Sequence, residues 1–369
     1  MRVRPFSLDL SSPLETARGA IDRREGFLVG VSPDADGQSA PAPGLGEATP
    51  LPGWTESRSA CRDALREATG GADGGALLPD ARSRLDPAET PAARHGISLA
   101  LADAEARAGG RSLAEQLARE ASLPTPVATV PVNATIGDGD PEATVDAAER
   151  AVARGFDCLK IKVGARGLDA DVERLGAVRR AVGDAVALRA DANGAWDRPT
   201  AREAVARLAP LDLAYLEQPL PADDLDGAAA LRSLRRAGGR AADGDPPVPI
   251  ALDESLSTHG IGAVLDAAAA DAVVLKPMAL GGPDRTVAAA IRARRTGVEP
   301  VVTTTVDAVV ARTAAVHVAA AVPDVAACGL ATGSLLDTDL AADPCRIGEG
   351  EASVPSGPGL AGDAFADLP

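Results

Sequence analysis

CLKIKVG, Cys158–Gly164, is a short apolar run interrupted twice by lysine and closed by a glycine. It reads as a strand, in which side chains alternate faces, so Lys160 and Lys162 share one face while Ile161 takes the other. Runs of the same kind recur: VPVNATI, VALRADAN, LAYLEQPL, PIALDES, AVVLKPM, PVVTTTV and CGLATG. With CLKIKVG they are centred near residues 132, 161, 189, 216, 252, 275, 303 and 330. Most intervals match one strand plus one Ala/Arg-rich helix. Such a succession predicts parallel strands that close into a barrel rather than an open sheet. The expected fold class is therefore α/β, a (β/α)7β TIM-like barrel.

Upstream the character differs. RVRPFSLDL and EGFLVGV read as strands, residues 91–120 as helix, and Gly/Pro-rich stretches lie between them. This reads as a small α+β domain with a long loop, expected over residues 1–125. The barrel is expected over 126–333, and the irregular segment 334–369 is expected to return to the first domain. The longest gap between strands, fourth to fifth, holds RRAGGRAADGDPP (235–247), an exposed loop insertion by composition.

The chain carries 53 acidic against 37 basic residues, a net charge of −16, which argues against nucleic acid or an anionic membrane as partner. Aromatic residues at 2% remove the stacking platforms that single-stranded nucleic acid needs. The N-terminal stretch alternates apolar and polar residues, with no apolar run of signal-peptide or membrane-span length, so a cytoplasmic protein is expected. Cys61, Cys158, Cys328 and Cys345 are scattered and read as buried, reduced side chains. Of the 37 basic residues only three are lysine: Lys160, Lys162 and Lys276. The acidic surface favours a halophile, with a GC-rich genome as the other source of the same bias.

Barrel chemistry collects at the C-terminal ends of the strands. There the second strand presents Lys160 and Lys162. The third presents Arg189, Asp191 and Asn193 on one face, the fourth ends in Glu217, the fifth in Asp253 and Glu254, and the sixth in Lys276. Three carboxylates on neighbouring strands repel unless neutralised, and an oxygen-only set suits Mg²⁺, with Mn²⁺ as a substitute. Lysine, unlike arginine, can lose its proton when desolvated or placed beside another cation, which a general base requires. Thr304, Thr305 and Asp307 on the seventh strand are further candidates for substrate contact. His95, His259 and His317 read as incidental, and Gly281–Gly282 as a strand-to-loop turn.

These motifs resemble the enolase superfamily and, within it, the o-succinylbenzoate synthases. ARGAIDRREGFLVGV and GLGEATPLPGWTES look like that family's capping domain, and KIK, RADANGAW, EQPL, LDES and LKP like its site motifs. The resemblance implies Mg²⁺ held by Asp191, Glu217 and Asp253, and a small-molecule carboxylate as substrate. Lys162 would be the base and then the acid of a syn dehydration. Lys160 would lower its neighbour's pKa and help bind the carboxylate. Lys276 would stabilise the intermediate and contact the ring that becomes aromatic. Asn193 and Arg189 would support the metal site from behind, with Glu254 beside them, and a loop at Arg18–Gly19 together with the GLGEATPLPGW segment, 44–54, would close over the substrate. The competing reading is an N-acylamino acid racemase or dipeptide epimerase, with Lys162 and Lys276 as bases on opposite faces. A non-catalytic metal-binding member is the third. An oligomer is compatible with all three.

Overall fold

The computed structural model describes residues 1–16, 19–32, 40, 42–68, 81–236 and 247–368. Arg18 and most of the 235–247 insertion lie outside the described residues. Arg2–Thr16 (β1), Gly19–Val31 (β2) and Gly44–Ala48 (β3) form an antiparallel sheet in the order β1-β2-β3. Arg58–Glu67 (α1), Ala81–Arg84 (α2), Pro91–Ala108 (α3) and Leu113–Glu120 (α4) follow. Gly44 and Gly46 let β3 lie directly on α3. A Cβ at either position would meet a helix carbonyl, of Ala100 or Gly96, at 2.0 Å. At α4, Ser112 and Glu115 form a reciprocal capping box that satisfies the first free N–H groups.

Thr129–Pro131 (β4) precedes the barrel, which begins with Ala134–Ile136 (β5) and then alternates. The order is Pro141–Ala153 (α5), Cys158–Lys162 (β6), Leu168–Val182 (α6), Ala187–Asp191 (β7), Arg198–Arg207 (α7), Leu213–Glu217 (β8) and Leu225–Arg236 (α8). Then come Ile250–Leu252 (β9), Glu254–Asp266 (α9), Ala272–Leu275 (β10), Pro277–Leu280 (α10), Pro283–Arg295 (α11), Glu299–Val302 (β11) and Val309–Ala321 (α12). Strands β5 to β11 make one parallel sheet in sequence order. Their outward residues, such as Leu159, Ile161, Leu188, Leu216 and Leu275, are wholly buried under the helices. The alternate residues point inward, which places lysines and carboxylates inside the barrel mouth.

Three expectations about strands need correction. VPVNATI is two strands, β4 ending at Pro131 and β5 starting at Ala134, with Val132 between them bridging Cys328 instead. β4 pairs antiparallel with Glu351–Ser353 (β13), which pairs with Ile347–Gly348 (β12), while only β5 joins the barrel. CGLATG is not a strand: Cys328 and Gly329 close the barrel through two parallel bridges, to Val132 and Thr303. There the Cys328 N–H donates to Pro131 O at 2.7 Å and the Gly329 N–H to Val302 O at 2.9 Å. The approach is close enough that a Cβ on Gly329 would lie 2.5 Å from Thr303 Oγ1. β11 stops at Val302, so Thr304, Thr305 and Asp307 occupy a turn that includes Val306 at φ 59°.

Gly281 and Gly282, at φ 85° and 143°, form the joint between α10 and α11 rather than a strand-to-loop turn. A Cβ on Gly282 would press on Ser98 of α3 at 2.8 Å. The last segment touches both layers: Leu336 bridges Leu10 of β1, and the Leu360 N–H donates to Asp103 Oδ1 of α3 at 2.7 Å. His317 accepts from the Ala114 N–H and donates from Nε2 to Leu360 O, a packing role for a neutral ring. Burial lowers its pKa to about 4. Among the described residues all four cysteines are free and buried, and no helix is long and apolar enough to cross a membrane.

Candidate active site

The structure brings the three lysines and the strand-end carboxylates together. Lys160 Nζ donates to both oxygens of Glu217, at 2.9 and 3.2 Å, and lies 3.1 Å from Asp191 Oδ2. Lys162 Nζ donates to Asp191 Oδ2 at 2.6 Å and to Asn193 Oδ1 at 2.7 Å. Lys276 Nζ donates to Asp253 Oδ2 at 2.7 Å. The register explains the grouping, since Lys162 stands opposite Asp191 and Asp191 opposite Glu217 on successive strands. Exposure separates the lysines: the side chain of Lys162 is 35% exposed, against 15% for Lys160 and 11% for Lys276. Lys162 is therefore the lysine most open to a molecule entering the mouth.

Asn193 lies past the end of β7 at φ 44°, and its side chain spans the site: Oδ1 accepts from Lys162 while Nδ2 donates to Glu254 Oε1 at 2.9 Å. Its own N–H donates to Asp191 Oδ1 at 3.1 Å, so Asn193 bonds a strand-end carboxylate as well as the mouth lysine. Arg189 sits elsewhere than expected. Paired with Lys160 and Tyr215 one step down the strands, it stacks on the Tyr215 ring at 4.6 Å and donates to Ala327 O at 2.7 Å, bracing the closing segment of the barrel. Thr305 Oγ1 donates to Asp307, and Thr304 Oγ1 bonds Thr332 Oγ1 at 2.9 Å, so these polar groups serve the turn. Gly19 starts β2.

Several residues escaped the sequence reading. Trp54, at the end of the GLGEATPLPGW segment expected to close over the substrate but not itself singled out, lays its ring over Lys276 with Nζ 3.1 Å from the centroid. Gln218, at φ 41°, accepts from the Asp253 and Ser255 N–H groups and donates to Leu220 O and Ser255 Oγ, which locks β8 to the start of α9. Its adjacency to Glu217 and Pro219 was the only signal. On α6, buried Arg174 donates to Lys162 O and to Asp171 Oδ1, while Asp171 accepts from the Gly164 N–H at 2.7 Å. Together they pin the turn that follows the KIK strand.

The electrostatics follow from burial and neighbours. Burial pushes the Glu217 carboxyl up to about 7, reinforced by Asp191 and opposed by Lys160. Burial likewise raises Asp253 to about 6, against the pull of Lys276. For Asp191, burial is outweighed by the ammoniums of Lys160 and Lys162, which hold it well below the usual carboxylate range. Burial also opposes the Lys160 ammonium, but Asp191 and Glu217 outweigh it and keep the group firmly charged. Lys160 is thus a fixed cation neutralising two carboxylates.

Among the described residues no group of three or more His, Cys, Asp or Glu stands in ligating geometry, because the carboxylates turn to the lysines. The donor chemistry nevertheless fits a hard divalent cation. Asp191, Glu217 and Asp253 are all buried, supply oxygen only, and come from adjacent strands. Asp253 Oδ1 is buried without a hydrogen-bond partner. Glu254 Oε2 is a second such oxygen.

The chain is similar to several known proteins. The o-succinylbenzoate synthase of Thermobifida fusca (strain YX) is 41% identical over 233 residues, 62% of this chain and 67% of that protein. A chloromuconate cycloisomerase of Cupriavidus necator is 32% identical over 297 residues, 79% of this chain and 75% of its own. A dipeptide epimerase of Methylococcus capsulatus, solved with Mg and the dipeptide L-Arg-D-Lys, superposes with a TM-score of 0.80 at 27% identity over 98% of both chains. The enolase C-terminal domain-like family matches residues 143–363, more than half of the sequence. The chain belongs to that family and has the enolase-superfamily architecture of a barrel under an N-terminal capping domain.

Proposed function

We propose that this protein is a Mg²⁺-dependent o-succinylbenzoate synthase, a carbon–oxygen lyase. It would remove water from 2-succinyl-6-hydroxy-2,4-cyclohexadiene-1-carboxylate in menaquinone biosynthesis. One observation carries the reading: the three lysines have unlike surroundings. Lys162 is the most open to the mouth, Lys160 is fixed between two carboxylates, and Lys276 is held by Asp253 and Trp54. One-sided proton transfer needs one accessible base and a fixed cation, and the unlike surroundings of Lys162 and Lys276 support that division of roles. The similarity to the Thermobifida fusca synthase favours the same reaction.

Asp191, Glu217 and Asp253 would hold the cation, which supplies charge stabilisation at the substrate carboxylate. Lys162, an ammonium while Asp191 holds it, must first give up a proton to act as base; its amine would then take the α-proton, leaving the electron pair shared between the α-carbon and the carboxylate oxygens. Lys276, as the ammonium, offsets that charge. The C–O bond to the hydroxyl then breaks, its electron pair leaves with oxygen, and the proton on Lys162 passes to it, so water departs and the ring becomes aromatic. Asn193, bonded to Lys162 and Glu254, orients the amine.

Epimerisation is the second reading, favoured by the likeness to the Methylococcus capsulatus enzyme. The test is to offer the purified protein, with Mg²⁺, the cyclohexadiene carboxylate, and in parallel N-succinyl amino acids and dipeptides in deuterated water. Loss of diene absorbance with slow α-exchange is expected. Fast exchange and racemisation without dehydration would overturn the synthase reading.

A further inference from the structure

Lys276 ends a four-carbon stem with several rotatable bonds, and such a chain does not place a charge without anchors. Its ammonium has two. One is Asp253 Oδ2 at 2.7 Å, from the next barrel strand; the other is the indole face of Trp54 at 3.1 Å, from the capping domain. An aromatic face attracts a cation through its quadrupole, most strongly for tryptophan.

Trp54 is itself held. The turn 51–55 closes on itself, with the Trp54 and Thr55 N–H groups donating to Leu51 O at 2.9 Å and the Leu51 N–H to Thr55 Oγ1 at 2.8 Å, around Gly53 at φ 94°. At one end of the turn, buried Arg24 donates to Thr49 O and Pro50 O. At the other, Glu56 accepts the Ala92 and Ala93 N–H groups at the start of α3. The Thr49 N–H meets Met278 Sδ at 3.4 Å, two residues beyond Lys276 in the barrel. Trp54, Lys276, Asp253 and Leu256 line the same small cavity, so the ring and the ammonium share one wall of the site.

We propose that Trp54 is a positioning residue: its indole face, carried by the capping domain, fixes the Lys276 ammonium in the barrel through a cation–π contact. The charge then has both of its anchors, Asp253 in the barrel and Trp54 in the capping domain, only when the capping loop is in place.

The chain has only three lysines, so uniform ¹³C-lysine labelling gives three ε-methylene cross-peaks, and the ring current of an indole at this distance shifts one of them upfield. The full-length protein in Mg²⁺ buffer should show one upfield-shifted peak, absent in Lys276→Arg. Trp54→Leu, which keeps apolar cover without a ring, should return that peak to the position of an unshielded lysine. Trp54→Phe should keep part of the shift. With the dehydration substrate, which brings in the proposed synthase activity, Trp54→Leu should lower kcat about tenfold with little change in KM, and Trp54→Phe should recover most of it.

Lack of an upfield peak, or one unmoved in Trp54→Leu, would overturn the contact. A moved peak with unchanged kcat would overturn the positioning role. Should the protein prove inactive on that substrate, the spectra alone decide whether Trp54 holds Lys276, so failure of the synthase reading and failure of this one are distinguishable.

Discussion

At the scale of single residues, the site is a set of buried charges that stabilise one another. Asp191, Glu217 and Asp253 are held by three ammoniums, and removing one member of a buried pair typically costs about 3–5 kcal/mol. If the same carboxylates hold Mg²⁺, Asp191→Asn, Glu217→Gln and Asp253→Asn should each abolish the Mg²⁺ binding heat in isothermal titration calorimetry while circular dichroism still reports a folded barrel. Undiminished binding in any of them would remove that residue from the ligand set. These residues were legible in sequence because the period of two, applied to KIK, RAD and LE, sends their polar side chains to one face. Arg189 obeys the same period but lies one step deeper, where Tyr215 and Ala327 O take its guanidinium. Periodicity gives the face and not the depth, so its role could not be read that way.

At the scale of elements, the N-terminus of α12 shows how the two layers are joined. Glu47, buried on β3, accepts the Ala308 and Ala311 N–H groups at 2.9 and 2.8 Å, so a capping-domain carboxylate supplies the cap that α12 lacks in its own sequence. Burial, with Asp307 adding to it, raises the Glu47 pKa to about 7. A folded-state pKa above the unfolded value means that the folded chain binds the proton more tightly. The contribution of Glu47 to stability therefore falls as pH rises from about 4.5 to about 7 and is level above that. Urea unfolding at pH 5 and pH 8 should show the wild type losing about 2–3 kcal/mol more than Glu47→Gln across that interval. Equal losses would show that Glu47 is not the titrating group. None of this was legible in GLGEAT, because the partner N–H groups lie more than 250 residues away. The misread barrel strands turn on pairing as well: the VPVNATI run changes partner at Val132, which bridges Cys328, and Gly329 closes the barrel by a single bridge in place of a full strand.

At the scale of the whole molecule, the barrel was the legible part, since strand spacing alone predicts its closure and the order of groups around its mouth. The contacts that link the capping domain to that mouth were not. Trp54 over Lys276, Arg24 on Val306 O and Glu47 on α12 pair residues from opposite ends of the chain, and no local pattern marks them. What the assembled molecule does with its three lysines is the central claim: a proton moves at Lys162, while the other two supply fixed charge. The most direct measurement is the dehydration rate of Lys162→Arg beside Lys162→Ala, both saturated with Mg²⁺ and substrate. Guanidinium keeps the charge and cannot take the proton, so both variants should fall by about 10²–10⁴-fold. An arginine variant that keeps more than about a tenth of the wild-type rate, within roughly 1.4 kcal/mol of its barrier, would contradict the account.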